Sequence, residues 1–266
     1  MAMAPNTPPA TWRSTEIEDY PNALLDPTIN DNACRPPRAV APRWQTEFVI
    51  GIVMGQGDFG KIYRATNLQS FARGCLKVLE SREVNVREGE LLRNLNSRGD
   101  APNCMLRMLT EPWFDIDKSY CVFVEHLPTS QLFPGVFVDE AEGLRVLRDL
   151  AVALTFLAKA WIVHNDVKPS NAGRRVDGTT VLHSYGLAHA LSEKDHALRH
   201  LSFLVPGITC FPLNHFACGD SYALGLTMAT LSEHLQTAPR LKATCAGLYH
   251  NDYALRLSAA EVLLLL

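Results

Sequence analysis

"VHNDVKPSN", residues 163–171, decides how this chain is read. His164, Asp166, Lys168 and Asn171 fall at H-x-D-x-K-x-x-N spacing. Just before them, Leu144, Leu147, Leu150, Ala151, Leu154 and Leu157 form an apolar stripe at helical spacing. A carboxylate, an ammonium and an amide on one short loop suit phosphoryl transfer. Asp166 can orient a hydroxyl and accept its proton. Lys168 can neutralise charge on the group in flight, and Asn171 can hold a metal ion. A polar loop that merely turns at Lys168-Pro169 is the alternative, and four polar types at this spacing make it the weaker one.

Upstream, "MGQGDFGKIY" holds Gly55, Gly57 and Gly60. The β-rich runs "FVIGIVMG" and "KIYRAT" flank them, so the glycines join two strands rather than open a helix. Glycine lets backbone amides approach phosphates without a Cβ clash. An ordinary Gly-rich hairpin fits the same letters. Lys77, in the strand-like run "CLKVLE", is placed to hold nucleotide phosphates. Eleven residues on, Glu88 sits in "VNVREGELLRNLN", a helical pattern with Leu91, Leu92 and Leu95 on one side. A Lys77–Glu88 pair would fix the lysine head. Two solvated surface charges are the alternative. Glu90 is a rival partner, but the leucine register favours Glu88. Downstream, "VLHSYGLA", residues 181–188, reads as a strand running into a tight turn at Gly186.

The order glycine loop, strand lysine, helix glutamate, polar loop and strand-turn glycine resembles that of eukaryotic-type protein kinases, from Phe48 to the C-terminus. "DSYALG" (Asp220 to Gly225) resembles the kinase D-x-W-S-x-G helix, whose aspartate braces the catalytic loop. "DYALRLSAAEVL" resembles the closing kinase motif, with Tyr253 in the proline place and Arg256 in the arginine place. Lys168 is the serine/threonine-kinase form. The resemblance implies an α+β bilobal kinase fold, with a small β-rich N-lobe and a larger, trimmed helical C-lobe. It implies ATP with Mg or Mn, and a protein substrate or binding partner. Asp166 and Lys168 take the catalytic places. Gly55, Gly57, Gly60, Ile62, Lys77, Glu88 and Glu125 take nucleotide-binding places, and Asn171 and Ser184 stand at the metal.

Four departures bear on activity. Ser184 in "HSYG" replaces the metal-binding aspartate of D-F-G, and a neutral hydroxyl is a weak ligand for Mg²⁺. His183 is expected on the opposite face from Ser184 by strand alternation. Asn165 replaces the arginine that pairs with an activation-loop phosphate. "FPLN" (Phe211 to Asn214) stands in the A-P-E place without a glutamate to pair with Arg256. Only about thirty residues separate Gly225 from Arg256, so the lower C-lobe is short. The catalytic-loop letters are similar to those of casein-kinase-1-like and vaccinia-related kinases. Compact kinases of this sort occur in large DNA viruses, which makes a viral source an expectation.

Composition agrees with a globular protein. Hydrophobic residues make up 47% of the 266 positions and charged residues 20%. A net charge of −3 gives no attraction to nucleic acid or anionic membrane. Seven scattered cysteines without C-x-x-C spacing speak for a reducing intracellular compartment, cytoplasmic or nuclear. The first residues lack a basic, then apolar, signal pattern. The interval His200–Gly219 carries no charge but holds prolines, Asn214 and histidines, so it does not read as a membrane span. A Pro/Asn/Thr-rich tail is expected over 1–43 and the kinase-like domain over 44–266, with lobes at about 44–127 and 128–266. Three functions follow from these readings: a divergent serine/threonine kinase with weakened metal binding, a pseudokinase scaffold, or a small-molecule phosphotransferase. Lys168 and the glycine loop argue against the last.

Overall fold

The computed structural model describes residues 41–57, 60–191, 213–252 and 255–266. Most of the expected tail lies outside the described residues. So do Asp58 and Phe59 of the glycine-rich run, Phe211 and Pro212 of the A-P-E place, and Tyr253.

The N-terminal lobe is a five-stranded antiparallel sheet in the order β1-β2-β3-β5-β4. Its strands are β1 (Phe48–Gly57), β2 (Gly60–Asn67), β3 (Arg73–Glu80), β4 (Trp113–Phe114) and β5 (Ser119–Glu125). The run "YCVFV" in β5 is buried throughout, because one face meets a helix and the other meets a small aromatic core. That core joins Phe48, Leu76, Cys121 and Phe123, with Phe48 stacked on Trp113 at 5.7 Å between ring centres. A short helix, α1 (Arg43–Thr46), closes it. The backbone N–H groups of Arg43 and Trp44 donate to the Asp115 carboxylate at 2.8 and 3.0 Å, so the ordered lobe takes in Arg43 from the expected tail.

Helix α2 (Glu83–Asn96) buries Leu91, Leu92 and Leu95, the stripe seen in the sequence. After β5 a linker leads to α3 (Glu140–Lys159), the axis of the second lobe. Asp139 caps α3 by accepting the Glu142 N–H at 2.8 Å. Val146, Leu147, Leu150, Ala151, Leu154 and Leu157 of α3 are buried, as an apolar stripe requires. Short strands β6 (Ile162–Val163), β7 (Ala172–Arg174), β8 (Thr180–Leu182) and β9 (His189–Ala190) pair as β6-β9 and β7-β8. Three helices complete the lobe: α4 (Leu213–Ser232), α5 (Pro239–Leu248) and α6 (Ala259–Leu265). A capping box of Ser258 and Glu261 starts α6. Helix α4 begins seven residues before Asp220, where the sequence pattern had started it. The sequence reading had no counterpart for α5. None of the helices among the described residues is long and apolar enough to cross a membrane.

Candidate nucleotide and phosphoryl-transfer site

A cleft of about 310 Å³ lies between the lobes, large enough for a small ligand. Met54, Ile62, Cys75 and Lys77 of the sheet line it. Facing them are Leu127, Ser130, His183 and Ser184. Glycines 55 and 57 stand at the tip of the β1–β2 hairpin, where Gly55 pairs with Ile62 and Gly57 with Gly60. None of the three loop glycines lines the cleft. Gly60 has a local reason to be glycine: its φ is +138°, and a Cβ there would lie 2.8 Å from Leu79 Cα of β3.

Lys77 and Glu88 meet as expected, Nζ to Oε1 at 2.8 Å, with both side chains largely buried. The same Oε1 accepts the Tyr185 N–H at 3.2 Å, so α2 is tied both to β3 and to the turn after β8. Burial alone raises the Glu88 pKa. The Lys77 ammonium and the Tyr185 N–H outweigh it and hold the carboxyl below its ordinary value. Glu90, the rival, pairs instead with Arg93.

The loop after β6 gathers the polar residues of "VHNDVKPSN". Asp166 meets Lys168 Nζ at 2.8 Å. Asn171 Nδ2 donates to Asp166 Oδ2 at 2.7 Å and to its backbone carbonyl at 2.8 Å. Burial raises the Asp166 pKa, but Lys168 and Asn171 bring it below the usual carboxylate value, so Asp166 is a proton-poor acceptor at neutral pH. Asp220 of α4 accepts the backbone N–H groups of His164 and Asn165 at 2.7 and 2.8 Å, which is the bracing expected of it. Asn165 donates its amide to Leu187 O and shares a 3.0 Å contact with His189 Nδ1. Buried His164 bridges Asp166 N–H and His183 O. Arg256 donates to His250 O at 3.0 Å and lies over the Tyr222 ring.

One expectation needs correction. Strand β8 stops at Leu182, before the alternation can place the next two side chains. Ser184 takes a left-handed backbone, φ 66° and ψ 71°, and this turns it to the same cleft as His183. Their side chains touch, Nδ1 to Oγ at 2.9 Å, and His183 Nε2 reaches Ser130 O at 2.7 Å. Glu125 borders the cleft, but its carboxylate is not free for a ligand. It accepts from Arg107 N–H at 2.7 Å and from Arg175 Nε and Nη2 at 2.6 Å each. Arg175, which the sequence reading missed, also reaches the carbonyls of Asn103 and Met105. The Arg174-Arg175 doublet carries no periodic signal, and arginines are mostly exposed, so nothing in the letters marks it.

The residues at the metal place do not make a good divalent site. Asn171 spends its amide hydrogens on Asp166, leaving one neutral carbonyl oxygen, and Ser184 adds one neutral hydroxyl. Mg²⁺ favours carboxylates and phosphates. Among the described residues, no three His, Cys, Asp or Glu side chains come together to hold a metal ion.

Residues 48–262 match the family profile described as "Protein kinase domain". The chain belongs to the protein kinase family. Family membership implies ATP, a divalent metal and protein substrates in general. Mouse Aurora kinase B is 25% identical over 145 residues, covering 52% of this chain and 42% of its own. Rat serine/threonine-protein kinase STK11 is 27% identical over 176 residues, covering 58% and 38%. The Aurora/IPL1-related protein kinase 2 of Caenorhabditis elegans is 25% identical over 193 residues, covering 68% and 61%. The matched stretches thus span about two fifths to three fifths of these relatives' lengths.

Proposed function

We propose that this kinase is a divergent serine/threonine protein kinase that passes the ATP γ-phosphoryl to protein hydroxyls, with weakened metal binding. The assembled constellation carries the reading: Lys77 held by Glu88 at 2.8 Å above a loop that joins Asp166, Lys168 and Asn171. The adenine side of the ligand meets Met54, Ile62, Cys75 and Leu127, an apolar slot suited to a base. Lys77 binds phosphates, Asp166 takes the substrate hydroxyl proton, and Lys168 neutralises the moving charge. Asn165 offers no cation to a phosphate, so activity needs no phosphorylation of the segment 192–212. The loop similarity to casein-kinase-1-like and vaccinia-related kinases, and the short C-lobe, support a viral source acting inside a host cell.

Ser184 favours a second reading, a pseudokinase that binds nucleotide or a protein partner without turnover. Thermal stability with ATP, with and without Mg²⁺ or Mn²⁺, combined with transfer to a generic protein substrate, separates the two. Ser184→Asp should raise transfer by at least tenfold, because a metal–phosphate contact contributes several kcal/mol to the transition state. Asp166→Asn should silence both forms. If Ser184→Asp folds and binds ATP yet gains nothing, the scaffold reading replaces the enzyme.

A further inference from the structure

The least expected contact in the cleft is a three-part relay. His183 Nε2 stands 2.7 Å from Ser130 O, and a carbonyl only accepts, so Nε2 carries the proton. His183 Nδ1 is then a lone pair, and it stands 2.9 Å from Ser184 Oγ, which must donate to it. A serine hydroxyl aimed at an imidazole lone pair, with the ring oriented by a third group, is the arrangement of an activated oxygen nucleophile. The backbone at Ser184 is left-handed, φ 66° and ψ 71°, a conformation that costs a non-glycine residue energy and recurs at functional positions. Ser184, His183 and Lys77 line one cavity, so the hydroxyl faces the same space as the phosphate-binding ammonium. Ser184 Oγ has no competing partner among the described residues, and Asp166 is engaged by Lys168 and Asn171.

We infer that Ser184 is itself a phosphoryl acceptor for a nucleoside triphosphate bound in this cleft, with His183 as its base. The inference rests on the nucleotide reading proposed above. Ser184 Oγ forms a bond to the γ-phosphorus. The bond from that phosphorus to the β–γ bridging oxygen breaks, and the diphosphate leaves with the electron pair. The hydroxyl proton passes to His183 Nδ1. The product is phosphoserine 184, an anion at a position where the unmodified chain offers only a neutral hydroxyl.

The test is peptide mapping by mass spectrometry after the full chain is incubated with ATP and Mn²⁺, with ATP-induced thermal stabilisation measured in parallel. Phosphate on Ser184 is expected, at an initial fractional rate independent of protein concentration. Lys77→Met should abolish it. His183→Gln keeps a donor for Ser130 O but supplies no imidazole base, and should slow incorporation by about 100-fold while ATP still stabilises the fold. ATP stabilisation of the parent without phosphate on Ser184 overturns this inference alone. No stabilisation of the parent overturns the nucleotide reading and this inference with it. Parental incorporation by His183→Gln removes His183 from the step and overturns the relay.

Discussion

Lys77 does two jobs that pull a mutational test in opposite directions. In the proposed reading it is the cation that meets a bound phosphate, and in the structure it lines the cleft as the partner of a buried carboxylate. Lys77→Met therefore loses ATP binding and also strands Glu88, at a cost to stability of about 3–5 kcal/mol. The double variant Lys77→Met/Glu88→Gln removes the stranded charge. It should recover much of the lost stability in denaturant unfolding while remaining blind to ATP. If the double variant binds ATP like the parent, Lys77 does not face the phosphates. Ser184 is the opposite case. Its side chain is small and its change from the family pattern is visible in the letters, yet its actual neighbour was not. Alternation predicts the outcome only while the strand lasts, and β8 ends two residues short of Ser184.

Among the elements, the linker after β5 shows how local sequence sets the floor of the site. It lies against β7 and the turn before it: Arg174 N–H donates to Thr129 O at 2.7 Å, and Leu132 N–H donates to Pro169 O at 2.9 Å. Gly173 permits this approach. A Cβ there would sit 2.6 Å from Thr129 O and 2.8 Å from Leu127 Cδ1. Gly173→Ala should destabilise the fold by about 1–3 kcal/mol through overpacking, and should weaken ATP binding because Leu127 lines the cleft. Unchanged nucleotide affinity in a stably folded Gly173→Ala chain would show that the linker's position does not matter to the ligand. The long elements were legible. Helices α2 and α3 each carry a strong period that their buried stripes match, and the glycine hairpin and the Lys77 strand are marked by β-rich runs rather than by a buried stripe, since β1 buries Phe48 alone. Helix α5 had a fainter version of that signal, since Leu241, Thr244, Cys245 and Leu248 are buried at i, i+3, i+4 and i+7. The strands β4, β6, β7 and β9 have two or three residues each, too few for any period to show. The linker contacts and the Arg175 cluster depend on tertiary approach, which a linear pattern does not encode.

For the whole molecule, His164 is a fully buried tie where the loop after β6 meets helix α4 and the turn after β8. Burial lowers its pKa to about 4 from an ordinary 6.5. The folded state thus keeps His164 neutral while the unfolded chain protonates it. Between pH 6.5 and 4 the unfolded state binds more protons, so stability falls as pH falls through that window. The full effect is about 3 kcal/mol. A chain with His164→Gln should lose less stability between pH 7 and pH 4.5 in urea titrations than the parent. Equal losses would place the acid sensitivity elsewhere.

Arg175 closes one guanidinium around the Glu125 carboxylate and the carbonyls of Asn103 and Met105, with both charged side chains largely buried. Residue 125 is also where β5 hands the chain to the second lobe, so the joint is stiff rather than compliant. The amide protons of Arg107 and Glu125, which bond to Glu125 Oε1 and Arg107 O, should exchange with deuterium only when this knot opens. Arg175→Ala leaves a buried carboxylate behind and should speed their exchange by a hundredfold or more, at a stability cost of about 3–5 kcal/mol. Slow exchange surviving in that variant would mean the joint is held by the sheet alone. With the knot closed, the two lobes do not rock about this joint, and travel over the cleft falls to the glycine hairpin and α2 instead.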